Sequence, residues 1–98
     1  MKFAQIIDFE TQRIDEVRDL LRTYEEQARS QGRTGAPTAR TLLRDRANPG
    51  RYLAVVEFES HEAAMANSSA PETSELAEQL SALMTRPSVY TDCDVQDE

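Results

Sequence analysis

Apolar residues in the first third of the chain change from a two-residue repeat to the repeat of a helix. Residues 3–9 are rich in Ile and Phe and alternate between two faces, which is typical of a strand. The following stretch has apolar residues three, four and seven positions apart, which predicts an amphipathic helix. These residues are Ile14, Val17, Leu20, Leu21, Tyr24 and Ala28. Gly32 and Gly35 then end the helix and begin a loop.

The middle of the chain predicts an antiparallel hairpin. Residues 38–46 form a weaker strand pattern, and residues 51–59 form the clearest strand pattern in the sequence. The segment between them, Asn48-Pro49-Gly50, is a strong turn signal. Two strands joined in this way are expected to pair with each other.

The last third predicts a helix with a break, followed by a strand. Ser60 is a good N-cap candidate for this helix. Residues 67–71 interrupt it, and Pro71 suits the first turn of a restarted helix. A second apolar stripe ends at Pro87, and residues 88–95 form the last strand pattern.

The order of these elements is β-α-β-β-α-β, which is the ferredoxin-like split arrangement. We therefore expect an α+β fold with a four-stranded antiparallel sheet and two helices on one face. The chain has 98 residues, which is enough for one modest core, so residues 1–98 are expected to form a single domain.

Apolar residues on both faces of the predicted sheet indicate a homodimer. Two helices cover one face of a four-stranded sheet, and a lone monomer would then need a polar second face. The first and third strands instead place Ile6, Leu53 and Val55 opposite Ile7 and Val56. Leaving several such side chains in water costs several kcal/mol, at roughly 25 cal/mol per Å² of apolar surface. A second copy packed sheet to sheet is the simplest cover, since most soluble oligomers are symmetric.

Composition argues against several kinds of partner. The apolar fraction of 39% and the charged fraction of 30% are typical of an ordinary globular protein. A formal net charge of -7 argues against binding nucleic acid through its phosphates, which requires clustered cations. No apolar stretch approaches the ~20 residues of a membrane span, and no signal-peptide pattern is visible. We therefore expect no membrane association and a cytoplasmic location.

Residue types that bind metals and cofactors are scarce in this sequence. Cys93 is the only cysteine and His61 is the only histidine, so neither a cysteine-based zinc site nor an internal disulfide can form. No P-loop, dinucleotide fingerprint or zinc-ligand spacing occurs. We therefore expect no metal and no cofactor.

Two segments resemble a known family: VVEFESHEAA at residues 55–64 and NSSAPE at residues 67–72. They are similar to the third strand, the entry into the second helix and the mid-helix break of antibiotic-biosynthesis-monooxygenase-like domains. These domains belong to the dimeric α/β-barrel superfamily, and the resemblance covers nearly the whole chain. It implies two four-stranded sheets packed into a barrel, with a pocket between the sheet and the helices of each subunit.

Haem-degrading members of this group have an asparagine on the first strand, a tryptophan late in the third strand and a histidine in the second helix. Ile7, Phe58 and Asn67 stand at those positions here, and the chain contains no Trp. All three residues depart from the pattern, so the resemblance does not extend to haem degradation. Haem iron also normally needs a His, Cys, Met or Tyr ligand.

Three residues are weak candidates for catalysis. His61 is the only side chain that ordinarily titrates near neutrality, although a polar residue at a helix start needs no function. Asn67 is a poor helix former, so it either directs its amide at a ligand oxygen or caps the helix restarted at Pro71. Tyr52, which shares a strand face with Phe58, is the third candidate.

The expected pocket has five candidate lining residues, namely Ile7, Tyr52, Phe58, Asn67 and Arg40. An aromatic residue on a sheet beneath a helix is more often part of the core than of a pocket. Arg40 and Arg44 share one face of the second strand, where they either bind an anionic group or pair with Asp or Glu.

The sequence leaves three classes of function open. The resemblance implies a cofactor-independent monooxygenase-like enzyme, in which an electron-rich phenol or anthrone-like substrate itself reduces dioxygen. The alternatives are a dimer that binds a small apolar or aromatic ligand without changing it, and a structural or regulatory homodimer. Folds of this kind host many activities, so the residues of the pocket must decide between them.

Overall fold

The computed structural model describes residues 1–32 and 35–97, and within these ranges the chain forms four strands and three helices. In chain order these are β1 (Phe3–Glu10), α1 (Ile14–Ser30), β2 (Ala39–Arg44), β3 (Arg51–Phe58), α2 (His61–Ser68), α3 (Pro71–Ser81) and β4 (Val89–Asp94). Arg33, Thr34 and Glu98 lie outside the described residues.

The strands form one antiparallel sheet in the order β2-β3-β1-β4. This is the ferredoxin-like α+β fold expected from the sequence, with the first and third strands at the centre. The predicted turn also forms, because the backbone N–H of Arg51 donates to the carbonyl of Asn48 at 2.9 Å. Each predicted element is present, with ends that move by one or two residues.

The break predicted after residue 67 divides the second helical region into two separate helices. Ser60 caps α2 as expected, and its Oγ accepts a hydrogen bond from the backbone N–H of Ala63 at 3.1 Å. Pro71 occupies the first turn of α3, where its missing N–H has no intrahelical partner to lose. The N-cap of α3 is Ala70, which makes no side-chain cap hydrogen bond, so Asn67 does not cap this helix.

One face of the sheet packs beneath the helices and holds the core. The strand register places Phe9 opposite Tyr52 and Phe3 opposite Phe58 on this helix-covered face. At one end, Phe9 and Tyr52 pack with Val17 of α1, and at the other end Phe3 and Phe58 pack with Ala64 of α2. Burying such aromatic side chains is the main source of stability for the domain.

The other face, which we call the open face, is apolar along the two central strands. Its residues follow from the register, because directly paired residues of antiparallel strands lie on the same face. Ile6 pairs with Val55, and Leu53 pairs with Leu43, whose exposed fraction is 44%. No helix of the described residues covers this face, since both core clusters consist of the helix-covered face and its helices.

An ion-pair network closes one end of the open face. Arg51 of β3 donates from Nη2 to Oδ2 of Asp8 at 2.7 Å and from Nη1 to Oδ2 of Asp45 at 2.9 Å. Arg86 donates from Nη2 to Oδ1 of Asp8 at 2.7 Å. These bonds connect the two central strands with the β2–β3 turn and the segment that precedes β4. The Arg51 and Arg86 hydrogen bonds lower the pKa of Asp8 from its ordinary 3.8 to about 2.

This network predicts a specific loss of stability in acid. Because the folded-state pKa of Asp8 lies below its unfolded value, its ionised form contributes stability above about pH 4, and this contribution is lost as the pH falls toward 2. Asp8→Asn is expected to lower the free energy of unfolding near neutral pH by about 1–3 kcal/mol, since it weakens three charge-assisted hydrogen bonds, two from Arg51 and one from Arg86. The deficit is expected to shrink in acid. Urea unfolding at neutral pH and at about pH 2 measures both effects.

Asp97→Asn is the matched control, because Asp97 is exposed and lies beyond the last strand. It is expected to leave the unfolding free energy unchanged at both pH values. An Asp8→Asn deficit that stays constant down to about pH 2 would contradict the assigned role of the Asp8 carboxylate.

Candidate functional site

A buried polar junction joins the three helices. Tyr24 lies in the apolar stripe of α1 with an exposed fraction of 9%, and a tyrosine buried to this extent needs a partner for its hydroxyl. Its Oη donates to Oδ1 of Asn67 in α2 at 3.1 Å and lies 2.6 Å from Oγ1 of Thr73 in α3. The Tyr24 hydroxyl is therefore a polar contact point between α1, α2 and α3. We call these three residues the polar junction.

Asn67 owes its buried position to the end of α2. It lies in the last turn of this helix, where its backbone carbonyl accepts a hydrogen bond from the N–H of Ala70 at 3.2 Å. The side chain faces inward and is 8% exposed. Of the two roles considered for Asn67 from the sequence, capping of α3 is excluded by the N-cap at Ala70. Its amide instead forms part of a buried hydrogen-bond network.

A groove of about 530 Å³ lies beside the polar junction, between the second half of α1, residues 36–38 and β2. We call it the α1–β2 groove. Its lining includes Tyr24, Glu25, Ala28, Pro37, Thr38 and Arg40. Tyr24 thus lines the groove and, through its hydroxyl, belongs to the polar junction. A volume of this size is within the range of small-molecule sites, and its lining is partly apolar as such sites require.

A salt bridge forms one wall of the α1–β2 groove. Arg40 of β2 donates from Nη2 to Oε1 of Glu25 in α1 at 3.2 Å, and its Nε also bonds the same carboxylate. Of the two alternatives for Arg40, pairing with an acidic residue is the one that the structure contains. The pair leaves Arg40 in the groove lining, and a bidentate geometry of this kind holds the guanidinium in a fixed plane.

Gly35 brings the loop before β2 against α2. Its φ is +80°, and a Cβ built on it would lie 2.9 Å from the carbonyl oxygen of Ala63. A residue with a side chain would therefore have to move the loop away from α2. Gly32, after the end of α1, also has a positive φ of 61°, but no atom lies within 4 Å of a Cβ built there. Only Gly35 is required for close contact between backbones.

The structure places Tyr52 and Ile7 at a different part of the helix-covered face. The Tyr52 ring stacks on Phe9 with centroids 5.6 Å apart, and Ile7 packs against the same core cluster. Tyr52 also borders a smaller cavity of about 170 Å³ with Ile14 and Leu42. Their roles in catalysis or pocket lining stay predictions.

Phe58 and His61 lie near the opposite end of β1. Phe58 is buried beside Phe3, and the exposed His61 ring meets the Phe3 ring edge-on with centroids 5.2 Å apart. Since Phe3 and Phe9 are at opposite ends of β1, about 20 Å separates the surroundings of His61 from those of Tyr52. The three catalytic candidates therefore do not converge on one point, and Asn67 has neither of the other two as a hydrogen-bond partner among the bonds described here.

Tyr24 and Thr73 are the residues that sequence reasoning did not single out. Tyr24 was assigned to the apolar stripe of α1, which is correct for its ring. A tyrosine in a buried stripe and an asparagine inside a helix each signal an unsatisfied polar group that needs a partner. Nothing in the sequence pairs them, because 43 residues separate Tyr24 from Asn67.

The described residues offer no group of three or more His, Cys, Asp or Glu side chains arranged to hold a metal ion. The same part of the chain contains no helix long and apolar enough to cross a bilayer. Among the residues that line the groove, Tyr24, Glu25 and Arg40 have groups that can hydrogen-bond a ligand, and Asn67 and Thr73 adjoin the groove through the Tyr24 hydroxyl. Such groups can orient a ligand oxygen by hydrogen bonding.

Solved structures with the same fold include an enzyme of known type. SnoaB from Streptomyces nogalater, a cofactor-independent oxygenase, matches with a TM-score of 0.78 and 19% identity over 99% of this chain and 95% of that chain. An antibiotic biosynthesis monooxygenase matches with a TM-score of 0.72 and 20% identity over 99% of this chain and 100% of that chain. A conserved protein from Methanosarcina mazei matches with a TM-score of 0.80 and 9% identity over 98% and 94% of the two chains.

No protein-family model matches the sequence, and no curated protein matches it. The structural matches show that the chain has the fold of the antibiotic-biosynthesis-monooxygenase-like proteins, as its sequence resemblance implied. Structural matches at such low sequence identity establish the fold alone, and the reaction must be argued from the residues of the site.

The two glycines allow a matched test of the loop that borders the α1–β2 groove. Gly32→Ala is expected to lower the free energy of unfolding by about 1 kcal/mol, because only its left-handed φ is strained. Gly35→Ala adds a backbone clash to the same strain, and its cost is expected to be at least about twice as large. Urea unfolding of both variants measures the difference. Equal costs for the two variants would contradict the close contact between Gly35 and α2.

Proposed function

We propose that this protein is a homodimer that binds a small aromatic molecule and acts as a cofactor-independent monooxygenase-like enzyme. The observation that supports this best is the polar junction, in which the buried Tyr24 and Asn67 and the half-buried Thr73 meet beside a groove of about 530 Å³. Buried polar groups are costly in a core unless they are paired, and a cluster beside a groove is typical of a binding site. The shared fold with SnoaB adds support by analogy.

The proposed substrate is an electron-rich phenol or an anthrone-like compound. Deprotonation of an anthrone gives a carbanion that donates electrons to dioxygen, so the ring CH₂ group and O₂ become a quinone carbonyl and water. The substrate is the reductant in this balance, and dioxygen is the oxidant. The protein supplies a shaped site and a few polar groups, and we assign to Asn67 the hydrogen bond to the substrate carbonyl or to the oxygen derived from O₂.

The homodimer is proposed from the open face. Ile6, Leu53 and Val55 lie on the two central strands of this face, and Leu43 and Val89 on its outer strands are 44% and 56% exposed. Fully burying one aliphatic side chain contributes about 1.5–3 kcal/mol, so a partner sheet gains substantially from covering this face. A second copy is the occupant that needs no further component.

The lone Cys93 fits a reducing compartment, and a cytoplasmic location is part of the proposal.

Oxidation of an anthrone tests the enzymatic proposal. Dithranol is the probe, and oxygen uptake together with quinone absorbance gives the rate. The wild-type protein is expected to exceed the uncatalysed rate, and Asn67→Ala is expected to lower turnover by about a hundredfold, as the loss of one oriented donor does elsewhere. Assays are run well below the melting temperature, because Asn67→Ala also removes a buried hydrogen bond.

Ser68→Ala is the control on the neighbouring residue of the same helix, where the hydroxyl bonds only the local Met65 carbonyl and is exposed. It is expected to keep the wild-type rate. Binding of dithranol without any oxidation would overturn the enzymatic proposal in favour of a ligand-binding dimer. If the protein neither binds nor oxidises dithranol and simple phenols, the result would favour a structural homodimer.

Paired substitutions test the homodimer. Leu43→Asp places a charge on the open face, whereas Met65→Asp places it on α2 at a residue of similar exposure, 38% against 44%. Leu43→Asp is expected to raise the dimer dissociation constant by at least about a hundredfold, because the charge must be desolvated in the interface. Met65→Asp is expected to leave it unchanged. Sedimentation equilibrium measures both, and a wild-type protein of single-chain mass would overturn the proposal.

A further inference from the structure

A second cavity, apart from the α1–β2 groove, lies between the start of α1 and the strands β2 and β3. Its volume is about 170 Å³, and it is lined by Ile14, Arg18, Leu42, Leu43, Arg44 and Tyr52. We call it the arginine cavity. Sites for whole small molecules begin at roughly 300 Å³, so this cavity fits a small ion or one group of a larger molecule.

The helix and the sheet each contribute polar groups to the arginine cavity. Ile14 and Arg18 are separated by one turn of α1, so they lie on the same face of this helix. Arg44 of β2 is paired directly with Tyr52 of β3, so both side chains lie on the same face of the sheet. One guanidinium therefore comes from the helix, and a second guanidinium and a phenol hydroxyl come from the sheet.

The two guanidiniums have no acidic partner within the described part of the chain. Arg18 and Arg44 form no ion pair and no side-chain hydrogen bond with a described residue, whereas Arg40 is paired with Glu25. Of the two alternatives that the sequence left open for Arg44, only the binding of an anion therefore remains for these residues. No Asp or Glu lines the cavity, so it carries two uncompensated positive charges in a chain of formal net charge -7.

The Tyr52 hydroxyl distinguishes this cavity from a group of solvated surface arginines. Tyr52 is only 8% exposed, and its ring stacks on Phe9 in the core. A buried tyrosine hydroxyl usually has a partner, but this one forms no hydrogen bond with a described residue. Among the described residues, no side-chain oxygen that is shut off from solvent lacks a partner. The Tyr52 hydroxyl therefore reaches solvent, and the arginine cavity is the space that Tyr52 lines.

We propose that the arginine cavity binds a phosphate dianion, either free inorganic phosphate or the phosphate group of a larger molecule. A phosphate monoester has a charge of about -2 at neutral pH, which matches two guanidiniums. Arginine binds phosphate through paired N–H donors, and the Tyr52 hydroxyl has a proton for a third contact. Donors from a helix and from two strands suit a tetrahedral anion better than a flat carboxylate.

This site is separate from the proposed substrate site. Arg18 is about 15 Å along α1 from Ala28, which lines the α1–β2 groove. Phosphate binding in the arginine cavity therefore does not depend on any oxidation in the groove, and the two proposals are tested by different measurements.

Titration of the wild-type protein with inorganic phosphate tests the proposal. The readout is the ¹H–¹⁵N spectrum, in which the amide signals of Arg18, Arg44 and Tyr52 are expected to shift and to saturate. Sodium chloride keeps the ionic strength constant, so screening of surface charges does not change during the titration. Arg18→Gln and Arg44→Gln are each expected to raise the phosphate dissociation constant at least about tenfold, because each removes a charge-assisted contact.

Arg46→Gln is the matched control, because Arg46 is also an exposed arginine but does not line the cavity. It removes the same charge just after β2 and is expected to change the dissociation constant by less than about twofold, since exposed charges are screened. Tyr52→Phe keeps the ring and removes only the hydroxyl. It is expected to raise the dissociation constant about two- to tenfold. It is also expected to leave the stability of the phosphate-free protein unchanged, because the hydroxyl has no partner among the described residues.

Two further probes identify the anion that the cavity takes. Tighter binding of phenyl phosphate than of inorganic phosphate would support a phosphate ester as the ligand, and weaker binding would support the free ion. Acetate that binds as tightly as phosphate would overturn the assignment to a dianion. The site itself is overturned if the wild-type signals do not saturate, or if Arg46→Gln weakens binding as much as Arg44→Gln does.

Discussion

A sheet that is apolar on both faces, with helices packed on one of them, determines the rest of this structure. The helix-covered face has room for a core and for a groove along the edge strand β2. The open face has Ile6, Leu53 and Val55 at its centre and the Asp8–Arg51 ion pair at one end. We propose that these two faces have different tasks: the helix-covered face holds the core and borders the groove, and the open face binds a second copy.

The polar junction is the second constraint. Three helices meet at the Tyr24 hydroxyl, and a buried donor or acceptor without a partner would cost about 1–3 kcal/mol. Asn67 and Thr73 lie on either side of the break between α2 and α3, so this break positions these two residues against Tyr24. The interruption of the second helical region is therefore a requirement of the junction as well as a feature of the fold.

The fold was largely predictable from the sequence, and the site was predictable only in part. Strand alternation and the turn at residues 48–50 depend on neighbours along the chain, and these predictions are confirmed. The Asn67 amide was recognised as unusual because asparagine disfavours a helix interior. Its partner Tyr24 was not, since contacts between residues 43 positions apart depend on how the helices pack. The separation of His61 and Tyr52, in contrast, follows from the strand predicted over residues 51–59, because Tyr52 lies near its start and His61 follows its end.

Native mass spectrometry of the wild-type protein, mixed with dithranol under nitrogen, tests most directly whether the two faces of the sheet have these two tasks. Without oxygen, bound dithranol cannot be oxidised and is not consumed. The expected spectrum contains two chains with up to two bound dithranol molecules, one for each α1–β2 groove. A single-chain mass would contradict the role of the open face, and a two-chain mass that never retains dithranol would contradict the role of the groove.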